Sequence, residues 1–485
     1  MLNSGDLIAI LPLVVLAAAP VVVMLAVCIR RSHALAMGLT LVGLAVAFCS
    51  LWAAAPLTPV QVTPLLTMDG YALFYMGLII AATFVTVIMA YGYMAKQSGY
   101  KEELYILILV AALGASVLVA SSHFVSFFLG LELLSVALYA MSGYTYTKGL
   151  PLEAGVKYLV LAAASAAFLL FGMALVYAQL GTMEFGRMAS MLATGPDYDK
   201  ALLLPGFALI ITGIGFKLAV APFHMWTPDV YEGAPAPVTA FIATVSKGGM
   251  FALLLRYFYE TGAHHLSPVF LVFSIIAIAS MILGNLLALL QNNVKRILAY
   301  SSIAHLGYVL VAFLAGGTMA AEAVTFYLVA YFVTTLGAFG VISALSNGER
   351  DADLLDDYEG LFWRRPVLAG IFTLMLLSLA GIPLTAGFVA KFFLVAVGAS
   401  AALWVLVFVL VVSSVIGLFY YLRILVTLYR SPAEAGESLP GVLPSISASA
   451  SYLLGALAIL LVWIGVYPTP FLEMIHKAVL TLRLF

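Results

Sequence analysis

The sequence predicts an all-α polytopic membrane protein with about fourteen transmembrane helices, and three observations carry that expectation. Of 485 residues, 64% are hydrophobic and only 9% charged, whereas soluble domains carry about 25% charged residues. The apolar residues gather into runs of roughly 18–25, the length a helix needs to cross about 30 Å of hydrocarbon. Two long runs are interrupted from within, one at Ala221-Pro222 and one at Gly381-Ile382-Pro383, and each holds a lysine.

In chain order the runs are 7–29, 34–54, 71–93, 104–120, 123–146, 152–180, 202–226, 236–259, 268–291, 297–316, 322–346, 366–399, 402–429 and 447–468. The first lacks a basic segment before it, is long enough to span, and is followed by Arg30 and Arg31, so it reads as a retained span rather than a cleavable signal. The runs 152–180 and 366–399 exceed what a straight span requires. Within the latter, Pro383 removes a backbone donor and clashes with the preceding turn, which breaks or kinks the helix.

Orientation follows from the loops. Arg30, Arg31, Lys96, Lys101, Lys148, Lys295, Arg296, Arg350, Arg364, Arg365 and Arg430 fall in alternate loops of one parity; the other side receives chiefly Arg187, Lys200, Lys477 and Arg483. The positive-inside bias places the first set in the cytoplasm and both termini outside. The charged loop 346–365 is then cytoplasmic and reads as a solvated acidic loop or a docking surface.

The runs divide into an N-terminal three-helix segment (1–100), two consecutive five-helix repeats (101–260 and 261–430) and a C-terminal helix with its tail (431–485). Five is odd, so repeats in tandem have inverted orientations, and the interrupted helix is the fourth of each. Paired broken helices in inverted repeats mark ion pathways in transporters.

Composition also excludes classes. The longest loops are about twenty residues, and neither a phosphate-binding Walker loop nor a strand-flanked GxGxxG occurs. Net charge is −1, without the basic surplus that nucleic acid would call for. Two cysteines cannot ligate an iron–sulfur cluster, and Cys28 and Cys49, both in apolar runs, read as small buried side chains. His264 and His265 in an outer loop read as ordinary loop residues rather than a metal site.

The candidate functional residues are ionisable groups inside apolar runs: Glu132, Lys217, Lys247, His305 and Lys391. A charge at the centre of a spanning helix costs about 2.5–3.5 kcal/mol on insertion scales, so five such groups oppose insertion by on the order of 10 kcal/mol unless they face each other, water or a broken helix. One could be a structural ion pair. An acid, three lysines and a histidine spread over both halves are better explained as a proton relay, in which Glu132, paired with Lys217, sets that lysine's proton affinity. Lys157 lies early in its run and can equally snorkel to the surface. His224 and Asp229, just past the first break, read as either a proton entrance or helix-end polarity, and His305 as a relay member or a hydrogen-bonded core histidine.

The turn MWTPDVYEGAPAPVTAFIATVSK, residues 225–247, resembles the signature of the antiporter-like membrane subunits of proton-pumping NADH–quinone oxidoreductase, respiratory complex I. Its WTPDVYEGAP wording is similar to the branch called subunit N, whereas the L and M branches and Mrp-type cation/proton antiporters usually show variants such as WLPDAH. The resemblance covers essentially the whole chain and implies a fourteen-helix fold with broken seventh and twelfth helices. It matches Glu132 to the fifth-helix acid, Lys217 and Lys247 to the seventh- and eighth-helix lysines, Lys391 to the twelfth-helix ionisable group, and His305 to the tenth-helix histidine. The thirteenth helix departs from a symmetric pattern, carrying only Arg423 near its cytoplasmic end.

The resemblance further implies a bacterial inner-membrane location and assembly with other membrane and peripheral subunits, neighbouring antiporter-like subunits among them. NADH, FMN, iron–sulfur clusters and quinone are expected in those partners and not in this chain. The competing readings are an Mrp-type sodium/proton antiporter subunit, a hydrogenase-linked pump subunit, and a purely structural subunit with residual charges.

Overall fold

The structure is a computed structural model describing residues 3–146, 148–194, 200–431 and 446–482. Arg483, used in the orientation argument, lies outside these residues. Thirteen helices among them are long and apolar enough to cross a membrane. They are α1 Leu11–Ile29, α2 His33–Ala54, α3 Gly70–Met94, α4 Glu103–Ala120, α5 Phe124–Ser142, α6 Gly149–Leu180, α7 Lys200–Leu218, α8 Ala236–Thr261, α9 Ser267–Leu289, α10 Val294–Ala315, α11 Gly317–Leu345, α13 Trp404–Tyr429 and α14 Ala448–Val466. A fourteenth span, α12, is built from two shorter pieces, Pro366–Ala380 and Ala386–Ser400.

Each expected run thus has its span. The corrections are local: the first run divides into Ser4–Ala9 and α1, α5 ends at Ser142, and α7 ends at Leu218 well before residue 226. A two-stranded antiparallel hairpin, β1 Val60–Thr63 with β2 Leu66–Met68, and the short helices Phe185–Thr194 and Thr469–Val479 lie outside the spans.

Helices dominate because hydrocarbon offers no hydrogen bonds, so each segment must satisfy its own backbone. Most spans are apolar on all sides, and their arrangement is decided by which faces meet protein. Nearly every side chain of α8, α10 and α11 is buried, whereas α1, α2, α6, α13 and α14 bury about a third of theirs and form the periphery. Cys28 and Cys49 sit on this periphery and are exposed, contrary to the sequence reading. Lipid is as apolar as a protein core, so an apolar run does not reveal which of its faces is covered by protein.

Helices approach closely where a glycine removes a side chain. On α4, a Cβ at Gly114 would lie 2.9 Å from the Gly130 carbonyl of α5; on α9, one at Gly284 would lie 2.7 Å from the Ala304 amide nitrogen of α10. α4–α5 and α9–α10 are the first helix pairs of the two five-helix groups, so the same contact recurs in both.

Candidate functional site

The two breaks are built from backbone geometry and closed by side chains. After Leu218 the chain turns through Ala219, in the left-handed region at φ 60°, and a cis Ala221–Pro222 bond before the short helix Trp226–Gly233. Trp226 donates its indole N–H to the Phe216 carbonyl at 3.0 Å, and the Ala221 amide donates to the Ser280 hydroxyl of α9 at 2.8 Å. In α12 the first piece stops at Gly381, whose φ of 84° glycine adopts without steric penalty. The Lys391 ammonium reaches back to the Leu379 and Ala380 carbonyls, both at 2.9 Å, and to the Ser414 hydroxyl of α13 at 2.8 Å. A cation thus caps the negative end of a half-helix, satisfying carbonyls that the break exposes.

The other lysines are held by hydroxyl groups. Lys217, 3% exposed at the end of α7, donates to Ser135 of α5 at 2.8 Å and to Tyr158 of α6 at 3.2 Å. The Tyr158 ring stacks on Trp226, with centroids 4.5 Å apart and planes 7° apart, so the broken-helix turn positions the hydroxyl that Lys217 meets. Lys247 follows a π-helical turn, Ile242–Ser246, a rare irregularity frequent at functional sites. Its ammonium donates to Ser302 of α10 at 2.7 Å and lies 5.3 Å from the Tyr231 ring centre.

His305 sits between two tyrosines. Its Nδ1 is bonded to the Tyr327 hydroxyl of α11 at 2.7 Å and its Nε2 to the Tyr421 hydroxyl of α13 at 3.2 Å; Tyr421 also bonds Ser301. His305, Tyr327, Tyr331, Thr334, Ser378 and Lys391 line one small cavity. The structure therefore buries Lys217, Lys247 and His305 and leaves Lys391 partly buried at the second break, each with its own serine or tyrosine partners.

Glu132 is placed differently. The anticipated Lys217–Glu132 ion pair is absent: among the described residues no ion pair within 4.0 Å and no hydrogen bond involves Glu132, and Lys217 bonds Ser135 and Tyr158 instead. Glu132 is half-buried on α5 between the exposed Leu129 and Val136, at the edge of the bundle rather than in its centre.

Lys157 also turns outward. It pairs with Glu153 at 2.7 Å and Asp229 at 2.9 Å, and Asp229 pairs in turn with Arg296 at 2.9 Å. Burial opposes the Asp229 carboxylate, but hydrogen bonds from Lys157 and Arg296 outweigh it and hold the carboxyl below its usual range. His224 is buried in the turn without a well-formed partner for either ring nitrogen, and burial lowers its imidazole below the ordinary value despite the nearby Pro222 carbonyl. The loop 346–365 is solvated at Asn347, Glu349, Arg350 and Asp356 but packed elsewhere. Asp351 bonds the buried Lys295 at 2.7 Å, Asp353 bonds Asn293 at 2.6 Å, and Tyr358 is fully buried.

Sequence reading missed the hydroxyl partners, since serine and tyrosine are common in apolar runs. It also missed a buried ion cluster with a clearer signal, Arg256 and Glu260 one turn apart within an apolar helix. Arg256, 0% exposed, bonds Asp69 through both terminal nitrogens at 2.8 and 2.9 Å and Glu260 at 3.1 Å.

Broken helices flanking a buried lysine row define an antiporter-like membrane subunit, and comparison with known proteins agrees. The family model described as NADH:quinone oxidoreductase/Mrp antiporter, TM, matches residues 121–417, and the chain belongs to that family. More particularly, it is 55% identical to NADH-quinone oxidoreductase subunit N of Nitrosospira multiformis, with 98% of this chain and 96% of that one aligned. Among solved structures, a chain of respiratory complex I from Thermus thermophilus with bound aureothin superposes with a TM-score of 0.81 at 33% identity, covering 95% of this chain and 98% of that one. A chain of the Mrp complex from Dietzia superposes with a TM-score of 0.84 at 19% identity, covering 99% and 97%, a likeness of fold.

Proposed function

We propose that this chain is a proton-translocating membrane subunit of an NADH–quinone oxidoreductase, sited in the bacterial inner membrane with both termini on the outer side. Electron transfer from NADH through flavin and iron–sulfur clusters to quinone belongs to partner subunits, and this chain supplies a proton path. Relatives at 48% and 55% identity carry that complex's name, whereas the Mrp complex shares the fold at 19%.

The observation that carries the reading is the row itself. Protons enter near Lys247 from the cytoplasmic side, pass among Lys217, Lys247 and His305, and leave outward past Lys391. Hydroxyl groups able both to donate and to accept stand beside each station: Ser135 and Tyr158, Ser302, Tyr327 and Tyr421, and Ser414. Among the described residues none of the three lysines has a carboxylate within 4.0 Å, and an ammonium bonded to hydroxyls and carbonyls alone suits a relay better than a structural ion pair. Glu132, at the bundle edge, is placed to act on Lys217 electrostatically while meeting a neighbouring antiporter-like subunit. Lys157, His224 and Asp229 belong to the cytoplasmic approach.

The test is NADH-driven proton pumping by reconstituted complex bearing Lys217→Ala, with assembly measured in parallel. Pumping should be lost while the complex assembles; normal pumping by a fully assembled variant would sink the relay role. Flavin and iron–sulfur subunits should co-purify after mild detergent extraction, and their replacement by other antiporter subunits alone would favour the Mrp reading.

A further inference from the structure

A second feature lies behind the lysine row and is not itself part of the proposed proton path. An apolar groove of about 640 Å³ runs between α2, α3, α11, α14 and the short helix Thr469–Val479. Its back wall is formed by buried side chains of three spans, including Leu73, Val329, Phe332, Leu457 and Ile464. On α3, Gly70, Gly77, Ala81 and Ala82 keep it open. Among the described residues the one charged side chain lining it is Lys477, which is exposed and makes no hydrogen bond or ion pair with them, whereas its neighbour His476 is bonded to Glu322 at 2.7 Å. Trp52, 65% exposed, lines the groove as well, the kind of aromatic residue that settles at a membrane–water interface.

We propose that this groove binds one phospholipid, with an acyl chain laid between α3 and α11 and the headgroup phosphate against the Lys477 ammonium. The volume falls within the roughly 300–1,000 Å³ of built small-molecule sites. Walls this apolar give water too few partners to remain at membrane depth, so a hydrocarbon chain is the natural filling. An unpaired lysine at the outer end, where its flexible stem reaches the interface, complements an anionic phosphate. The site also touches the functional centre from behind. The Phe332 ring that forms part of its wall presses against Gly248, the residue after Lys247, so a chain packed on Phe332 supports the turn that presents that lysine.

The experiment uses the intact complex in vesicles containing an anionic phospholipid with a photoactivatable diazirine in its acyl chain, followed by peptide mapping. Label should concentrate on residues 70–85 and 329–336 and fall at least fivefold in Lys477→Glu and in Gly77→Phe, whose ring would fill the groove. Lys477→Arg should retain it. If Gly77→Phe prevents assembly, the exposed Lys477→Glu still decides the matter. Label no denser in the groove than on the exposed spans of the subunit as a whole, or indifferent to Lys477→Glu, would reduce the site to ordinary bilayer contact and overturn the proposal. Displacement of the label by a quinone analogue would overturn it in favour of a different occupant.

Discussion

Replacing Arg256 with methionine removes a fully buried cation whose two carboxylate partners line a polar pocket of about 400 Å³. Its guanidinium holds Asp69 by two bonds at 2.8 and 2.9 Å, Glu260 at 3.1 Å and the Val119 carbonyl at 3.1 Å. The side chains of Asp69 and Glu260 are 3% and 7% exposed. Methionine fills a similar volume, so the effect isolates the loss of the guanidinium's charge and of its bonds to the two carboxylates. Breaking a buried pair by deleting one partner destabilises by about 3–5 kcal/mol, or roughly two to three and a half powers of ten in a folded-to-unfolded ratio. Asp69 also caps α3 by accepting from the Ala72 amide at 2.7 Å, so the damage extends to the start of that span. Thermal inactivation of detergent-solubilised complex and the amount of subunit retained in membranes give the readout. Adding Asp69→Asn and Glu260→Gln to Arg256→Met should recover more than half the loss, because the negative charges that the guanidinium offset go with the carboxylates. Parental stability in Arg256→Met, or no recovery in the triple variant, would refute the argument that the cluster is held by charge pairing.

Two further expectations follow from single contacts. Lys391→Met should depress stability as well as pumping, because it strips the cap from the Leu379 and Ala380 carbonyls at about 1–3 kcal/mol for each group left unpaired; Lys391→Arg should keep most of the stability, which melting of the purified complex would show. Asp229, whose carboxyl is held low by Lys157 and Arg296, stabilises the fold at every pH above the ordinary carboxylate range near about 3.9 and loses that contribution as pH falls through its lower folded value. Asp229→Asn should therefore lower stability at pH 7 by at most about 1 kcal/mol, because the pairs are partly exposed, and the gap to the parent should close in acid denaturation below about pH 4.

The spans were legible for a simple reason: a chain in hydrocarbon must satisfy its backbone within each segment, so length and apolarity alone locate the helices. Lys217, Lys247 and Lys391 were legible because an isolated charge in an apolar run is rare and needs an explanation. Their surroundings were not. Ser135, Ser302 and Ser414 look like any other serine in an apolar helix, and only packing puts each within 2.8 Å of a lysine. The direction of a side chain around its helix was equally hidden, as Glu132 and the two cysteines show.

The sequence by itself determined the number of spans, the two places where they break, and which charged groups must be reconciled with the membrane. Those properties depend on the local chemistry of one segment at a time. Tertiary structure decided which groups meet. Lys391 closes the helix end exposed by its own break, Lys157 turns to Asp229 rather than inward, and Lys217 bonds Ser135 and Tyr158 rather than Glu132. Partner choice of this kind depends on how helices are rotated and how closely glycines let them approach, and in lipid no contrast between apolar and polar faces records that rotation in the sequence.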